Sequence, residues 1–196
     1  MRVNLPVNNV ETKLREDQYL ISRTDTKGRI VYANPAFIEV SGFSREELIG
    51  KAHNIVRHPD MPPEAYEDLW QTLEAGESWL GLVKNRRKDG GYYWVLANAT
   101  PIVENGEVVA YSSVRVRPSD DQIEMAEELY ARIREGHARG VRIVRGRPVR
   151  AGWRRSLDLL AFPFKRSVRS RMFRHALLSS GIVVAAGAYG PVSYTH

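Results

Sequence analysis

A short run of polar and ionisable side chains lies in the first third of the chain. Residues 53–60 read His-Asn-Ile-Val-Arg-His-Pro-Asp, so five of the eight are polar. Such a run could bind a charged ligand, and Arg57 in particular offers the planar fork that suits phosphate groups. It could equally be a surface loop in which Arg57 and Asp60 form an exposed ion pair worth ~0–1 kcal/mol. The run by itself leaves both interpretations open.

Two asparagines, Asn85 and Asn98, fall in β-rich segments separated by Asp89-Gly90, and Asn105-Gly106 follows the second segment. If both dipeptides form two-residue hairpin loops, alternation places both amides on one sheet face. That face would carry Trp79, Val83, Asn85, Trp94, Leu96, Asn98, Val109, Tyr111 and Ser113. A buried amide without a partner costs about 1–3 kcal/mol, and a planar hydrogen-bonding heterocycle would satisfy both. Alternatively the amides bind backbone or face solvent, since the opposite face is also apolar.

The familiar signatures of catalysis are missing from the sequence. The chain contains no cysteine, which excludes cysteine nucleophiles, thiolate metal sites and cysteinyl cofactor adducts. It also lacks the GxSxG, HExxH, Walker and Rossmann fingerprints. These absences favour binding over turnover, and we expect no enzyme activity.

Turn and capping signals predict the elements that would position these residues. Strands are expected at 19–24, 29–33, 79–87, 92–103 and 108–117. Short helices are expected at 35–40 and after Ser44, and longer ones from Pro62-Pro63 to Gly76 and from Ser119 to Gly136. The predicted fold is α+β, with a five-stranded antiparallel sheet and short helices on one face.

Charge divides the 196 residues into unlike parts. Residues 1–129 carry a net charge of −6, residues 130–175 carry +12, and residues 176–196 carry none. We therefore predict an N-terminal cap at 1–18, a folded domain at 19–118, a linker at 119–174 and the start of a membrane anchor at 175–196. The basic run before the uncharged tail would keep the domain on the cytoplasmic side of the inner membrane. A buried amphipathic tail is the alternative for the last segment.

At the level of whole motifs the sequence resembles the PAS domains of bacterial aerotaxis receptors, from residue 19 to about 190. The resemblance rests on the strings Tyr32-Ala33-Asn34, Val40-Ser41-Gly42-Phe43, His53 to Pro62, Val83 to Lys88 and Tyr93-Trp94-Val95. The HNxVRHPDMP string is highly specific. The resemblance implies noncovalently bound FAD between the helices and the sheet.

The site residues implied by the resemblance include Asn85 as a contact to the flavin ring and Asn98 as a weaker candidate. Arg57 would be a partner for the FAD pyrophosphate. The full candidate set for cofactor binding is Asn34, His53, Arg57, His58, Asp60, Trp70, Trp79, Asn85, Asn98 and Tyr111. No metal ligand is expected.

The resemblance also implies partners. In such receptors the PAS domain is followed by a linker, a membrane anchor, a HAMP segment and a signalling domain that controls a chemotaxis histidine kinase. We expect a homodimer, although the helix after Ser119 could instead pack on its own sheet.

Two rival functions remain open at this point. One is a heme-binding PAS oxygen sensor with His53 or His58 as the axial ligand. The other is nucleic-acid binding through residues 130–175, for which the charge of +12 is the only support. That segment lacks the interleaved aromatic residues of many nucleic-acid binders, so nucleic acid is not expected as a partner.

Overall fold

The computed structural model describes residues 3–150. Five strands form one antiparallel sheet in the order β2-β1-β5-β4-β3, and strands β6 and β7 form a separate hairpin. The strands are β1 (Leu20–Thr24), β2 (Ile30–Ala33), β3 (Trp79–Arg86), β4 (Tyr92–Glu104), β5 (Glu107–Val116), β6 (Val141–Val144) and β7 (Arg147–Arg150). The helices are α1 (Pro35–Ser41), α2 (Arg45–Leu48), α3 (Pro63–Glu74) and α4 (Asp120–Arg134), with a 3-10 turn at His53–Val56. The predicted α+β fold, a five-stranded antiparallel sheet with short helices, is confirmed.

The helices begin where local side chains can satisfy their first free N–H groups. The Asn34 side chain accepts from the backbone N–H of Phe37 at the start of α1. Ser44 with Glu47, and Ser119 with Gln122, form capping boxes at the starts of α2 and α4. These bonds depend only on neighbouring residues, which is why the sequence predicts them.

The pairing of β3 with β4 differs from the prediction. Asn85 pairs with Tyr93 and Trp79 with Ala99, because Arg87 and Gly91 close a three-residue loop in place of a two-residue one. In a strand, a shift of one residue moves every side chain to the other face. The odd-numbered residues of β4 therefore share a face with Asn85.

The pairing of β4 with β5 contains a second irregularity, which offsets the first. The register shifts between Ile102 and Val103, so that Ala99 pairs with Ser113. Such a shift is a β-bulge, in which one extra residue changes the facing of the rest of the strand. Tyr111 and Ser113 thus share the face of Asn85 as predicted, whereas Trp94, Leu96 and Asn98 do not.

We call the sheet face that carries Asn85 the inner face and the opposite one the outer face. The core lies between the inner face and helices α1 to α3. Phe37, Leu48, Tyr93 and Val95 have no exposed surface there. Each such side chain contributes about 1.5–3 kcal/mol by leaving water. This packing fixes the helices over the inner face.

Helix α4 covers part of the outer face. The Tyr130 hydroxyl donates to the backbone oxygen of Leu82 at 2.8 Å, and its ring stacks on Trp94 with centroids 6.3 Å apart. The apolar stripe of α4 therefore packs on its own sheet. In the part of the chain that the structure describes, no helix is long and apolar enough to cross a membrane. The predicted anchor at 175–196 lies outside the described residues.

The Asp68 carboxylate of α3 binds the hairpin of β6 and β7, and Arg145 of the hairpin also pairs with Glu77. Asp68 accepts from the backbone N–H groups of Arg145 and Gly146 at 2.8 and 2.7 Å, and from the indole N–H of Trp79 at 2.7 Å. A side chain at Gly146 would collide with the backbone oxygen of Leu80, so glycine is required at this close approach. The sequence analysis did not predict this hairpin.

Replacing Asp68 by alanine should destabilise the protein. The Trp79 side chain is only 1% exposed, and leaving its N–H without an acceptor costs about 1–3 kcal/mol. Urea denaturation should show this loss in the free energy of unfolding. The matched control is Glu67→Ala on an exposed neighbouring position of α3. Equal stabilities of the two variants would contradict the assigned role of Asp68.

Candidate functional site

A cavity of about 190 Å³ lies between the inner sheet face, α3 and the 3-10 turn. Because a single water needs roughly 10–15 Å³, this space is far larger than a packing defect. It is lined by Ser22, Thr24, Lys27, Gly28, Ala52, His53, Asn54, Arg57, Tyr66, Leu69, Trp70, Leu73, Val83, Asn85, Ala97, Ala99, Tyr111, Ser112, Ser113 and Arg115. This lining contains three cationic residues and no carboxylate, so it suits a ligand that brings acceptors or negative charge.

One wall of the cavity is aromatic. Trp70 of α3 meets Tyr111 of β5 edge to face, with ring centroids 5.5 Å apart. Leu69 and Leu73 extend the same wall along α3. Apolar walls of this kind bind a planar ring by dispersion and by exclusion of water.

Arg57 and Asn85 are brought together by the backbone. An isolated antiparallel bridge joins the two residues, which fixes the end of the 3-10 turn against β3. The Arg57 guanidinium lies 3.6 Å from the ring centroid of Tyr66, and its buried Nε has no hydrogen-bond partner among the described residues. The Asn85 side chain is 3% exposed in the same wall. These groups can hold the polar parts of a ligand.

A second polar group is formed by Arg115, His53 and Ser22. The Arg115 guanidinium donates to Ser22 Oγ at 3.0 Å and lies 2.7 Å from His53 Nε2. Since a guanidinium can only donate, His53 Nε2 must be the acceptor and the histidine must be neutral. Burial and the Arg115 charge lower the pKa of His53 to about 3, in agreement with this tautomer.

Comparison with known proteins supports the fold. The family model described as the PAS fold matches residues 30–115. Residues 30–115 therefore have the PAS fold.

Two curated relatives are similar to this chain over part of their length. The aerotaxis receptor of Escherichia coli (strain K12) is 45% identical over 168 residues, which cover 85% of this chain and 33% of that receptor. The nitrogen fixation regulatory protein of Klebsiella oxytoca is 34% identical over 53% of this chain and 21% of its own length. The chain therefore spans about a third or less of these relatives.

A solved structure from a study of the light-oxygen-voltage domain mechanism with a flavin analogue has the same fold. It is 26% identical, with a TM-score of 0.51, over 61% of this chain and 88% of its own.

Half of the predicted site residues line the cavity of the PAS domain. These are His53, Arg57, Trp70, Asn85 and Tyr111. They come from the 3-10 turn, α3, β3 and β5, which converge on the inner face.

Two predicted residues have structural contacts away from the cavity lining. Asn34 accepts from the backbone N–H of Ile21 and Phe37 and donates to the backbone oxygen of Tyr19, so its side chain joins β1 to α1. The Trp79 ring covers Gly81, where any side chain would collide with it. Both residues support the walls.

His58 and Asp60 also lie outside the lining. His58 Nδ1 accepts from the backbone N–H of Asp60 at 3.1 Å, and burial lowers the pKa of His58 to about 4. The Asp60 carboxylate accepts from Lys84 Nζ at 2.7 Å, and this lysine is its ion-pair partner in place of the Arg57 considered above. The polar run thus divides into a cavity part and a structural part.

The placement of Asn98 corrects the sequence prediction. Its side chain is exposed, and it pairs with Leu80 and Val114 on the outer face. The three-residue loop before β4 is the cause of the error, because it reverses the facing of the whole strand.

Several lining residues were not predicted from the sequence, above all Arg115, Ser22 and Tyr66. For Arg115 a signal was present, since it shares strand parity with Tyr111 and Ser113. An arginine at an inward position between apolar neighbours indicates a buried charge with a role.

The heme alternative fits this geometry poorly. His53 Nε2 faces the Arg115 guanidinium, which would place a fixed positive charge beside the metal. His58 uses Nδ1 as a backbone acceptor and lies outside the lining. Neither histidine presents a free ligand nitrogen to the cavity.

Proposed function

We propose that this chain is the FAD-binding sensor part of a receptor that reports redox or energy state for aerotaxis. The observation that carries the proposal is a cavity with an aromatic wall, a buried amide at Asn85 and three cationic residues without a carboxylate in the lining. An aromatic ring system with carbonyl acceptors and a diphosphate tail has the matching chemistry. The name of the aerotaxis receptor relative supports the signalling role.

Each lining residue has a defined part in this proposal. The Asn85 amide can both donate to and accept from the polar edge of the ring. Trp70 and Tyr111 bind its apolar surface and exclude water. The Arg57 guanidinium, whose Nε is unpaired among the described residues, donates to the pyrophosphate. When bound, the flavin would supply the capacity to take up and release electrons.

Signalling would follow from a change in the hydrogen bonds that Asn85 can make. Asn85 lies in β3 and its backbone is joined to Arg57, so a changed side-chain bond acts on the sheet and on the 3-10 turn together. A differential free energy of about 1–3 kcal/mol between two conformers is enough for typical coupling. This role requires binding without turnover.

The proposal extends to the setting of the domain. The PAS domain would lie on the cytoplasmic face of the inner membrane, with residues 175–196 starting an anchor. In a full receptor it would act on HAMP and signalling domains and a histidine kinase complex, as a homodimer. The identity to the aerotaxis receptor and the basic run before the uncharged tail support this setting.

Arg57→Ala should weaken FAD binding by at least about tenfold, because a charged hydrogen bond of about 1.5–3 kcal/mol is lost. The purified full chain should be yellow, with broad absorption bands in the blue and near ultraviolet, and the variant should lose this colour on dilution. The exposed Arg45→Ala on α2 is the matched control and should keep it. A folded parent chain that stays colourless and refuses added FAD would overturn the proposed function.

A further inference from the structure

Arg115 is a buried cation whose charge no described acidic residue neutralises. The residue is 4% exposed on β5, and the ion pairs of the described residues do not include it. Burial lowers the pKa of its guanidinium to about 10, so the group is still charged at neutral pH. The cavity therefore contains a fixed positive charge.

The partners of Arg115 are neutral and incomplete. Ser22 Oγ and His53 Nε2 both accept from the same terminal nitrogen, NH2. The other terminal nitrogen, NH1, is buried without a partner among the described residues, as is the hydroxyl of Tyr93. Burying a charge is costly unless it is paired, so a native site that keeps one requires a compensating group. A ligand in the adjoining cavity can supply it.

The depth of Arg115 decides which part of a ligand it serves. Lys27 also lines the cavity but is exposed, in the turn between β1 and β2. Phosphate groups carry full charges and are solvated best near the exposed rim, whereas a neutral ring loses less on entering the buried part. Arg115 therefore faces the ring and not the phosphates.

We propose that Arg115 is the counter-charge of the ring-binding part of the cavity, which holds the acceptor edge of the ring and favours its reduced form. This inference rests on the proposed function. Reduction by dithionite, with two electrons and one proton taken up from solvent, would leave a bound ring one unit more negative, while Arg115 would keep its proton and break no bond. The added negative charge would strengthen the Coulomb attraction to the guanidinium. This attraction is large because the buried part of the cavity is shielded from water. Arg115 thus raises the affinity for reduced cofactor more than for oxidised cofactor.

The experiment measures the dissociation constants of oxidised FAD and of dithionite-reduced FAD under anaerobic conditions. The dissociation constant of oxidised FAD divided by that of reduced FAD reports the preference for the reduced form. Arg115→Met, which keeps an apolar stem without charge, should lower this ratio at least about tenfold, and Arg115→Lys should keep it within about threefold. The control is Arg23→Met on β1, where the arginine is exposed. It should leave the ratio unchanged.

The outcomes separate the inference from the proposed function. If the parent chain binds FAD and folded Arg115→Met keeps the parent ratio, the counter-charge role is wrong while the flavin site stands. If Arg115→Met does not fold, Arg115→Lys decides, because a fall of about tenfold in a variant that retains the charge overturns the role. If the folded parent chain binds no FAD, the proposed function fails and this inference fails with it.

Discussion

Ala97→Leu should weaken FAD binding by up to about 100-fold while making the cofactor-free protein more stable. Ala97 lies on β4, is 4% exposed and lines the cavity. The larger side chain occupies space that the ring needs, and forced overpacking of about 1–3 kcal/mol corresponds to a loss of affinity approaching 100-fold. Without the cofactor, the added carbons bury apolar surface at about 0.8 kcal/mol each. Fluorescence titration with FAD and urea denaturation of the cofactor-free protein measure the two opposite effects.

The adjacent position supplies a matched control for this experiment. Asn98→Leu adds apolar volume to the same strand, but residue 98 lies on the exposed outer face. It should leave the dissociation constant of FAD unchanged within about twofold, since it does not touch the cavity. Retained binding in Ala97→Leu, or lost binding in Asn98→Leu, would show that the ligand does not occupy this cavity.

Lowering the pH from 6.5 to 4 should destabilise the cofactor-free protein steeply. Burial lowers the pKa of His53 to about 3 and of His58 to about 4, whereas both titrate near 6.5 in the unfolded chain. Between these values the unfolded state binds more protons than the folded state, so stability is full above pH 6.5 and falls as pH decreases. Each histidine contributes a slope of about 1.4 kcal/mol per pH unit.

Urea denaturation at a series of pH values measures this slope. His58→Gln should reduce it by the equivalent of one proton, while His137→Gln, at an exposed position after α4, should leave it unchanged. A free energy of unfolding that does not vary between pH 6.5 and 4 would contradict the buried neutral state of both histidines.

The local elements of this fold could be predicted because their signals are local. The capping boxes at Ser44 and Ser119 use side chains three residues apart, and the glycine after α1 adopts a left-handed conformation at φ 73°. Such contacts need no knowledge of the rest of the chain. The hairpin of β6 and β7 was missed because the Asp68 carboxylate that holds it lies 77 and 78 residues away.

The site residues could be predicted from the sequence only where the sheet face of each strand residue was predicted correctly. Asn85 and Tyr111 were correctly predicted to share a face, because the extra loop residue before β4 and the bulge in β5 offset each other between β3 and β5. Asn98 lies between these two irregularities and was therefore assigned to the wrong face. Neither irregularity is visible in the turn dipeptides, since an Asp-Gly pair also fits loops longer than two residues. The strand parity of Arg115 indicates a buried charge, but that no carboxylate pairs with it could be seen only in the folded chain.

Helix α3 contributes both to the wall of the cavity and to the attachment of the β6–β7 hairpin. Leu69, Trp70 and Leu73 form the wall of the cavity, while Asp68 of the same helix carries the three hydrogen bonds that fix Trp79 and the β6–β7 hairpin. A ligand that displaces Trp70 outward would move α3. The hairpin would then move with the helix, or its hydrogen bonds to Asp68 would break. The position of the β6–β7 hairpin is thus coupled to whether the cavity holds a ligand.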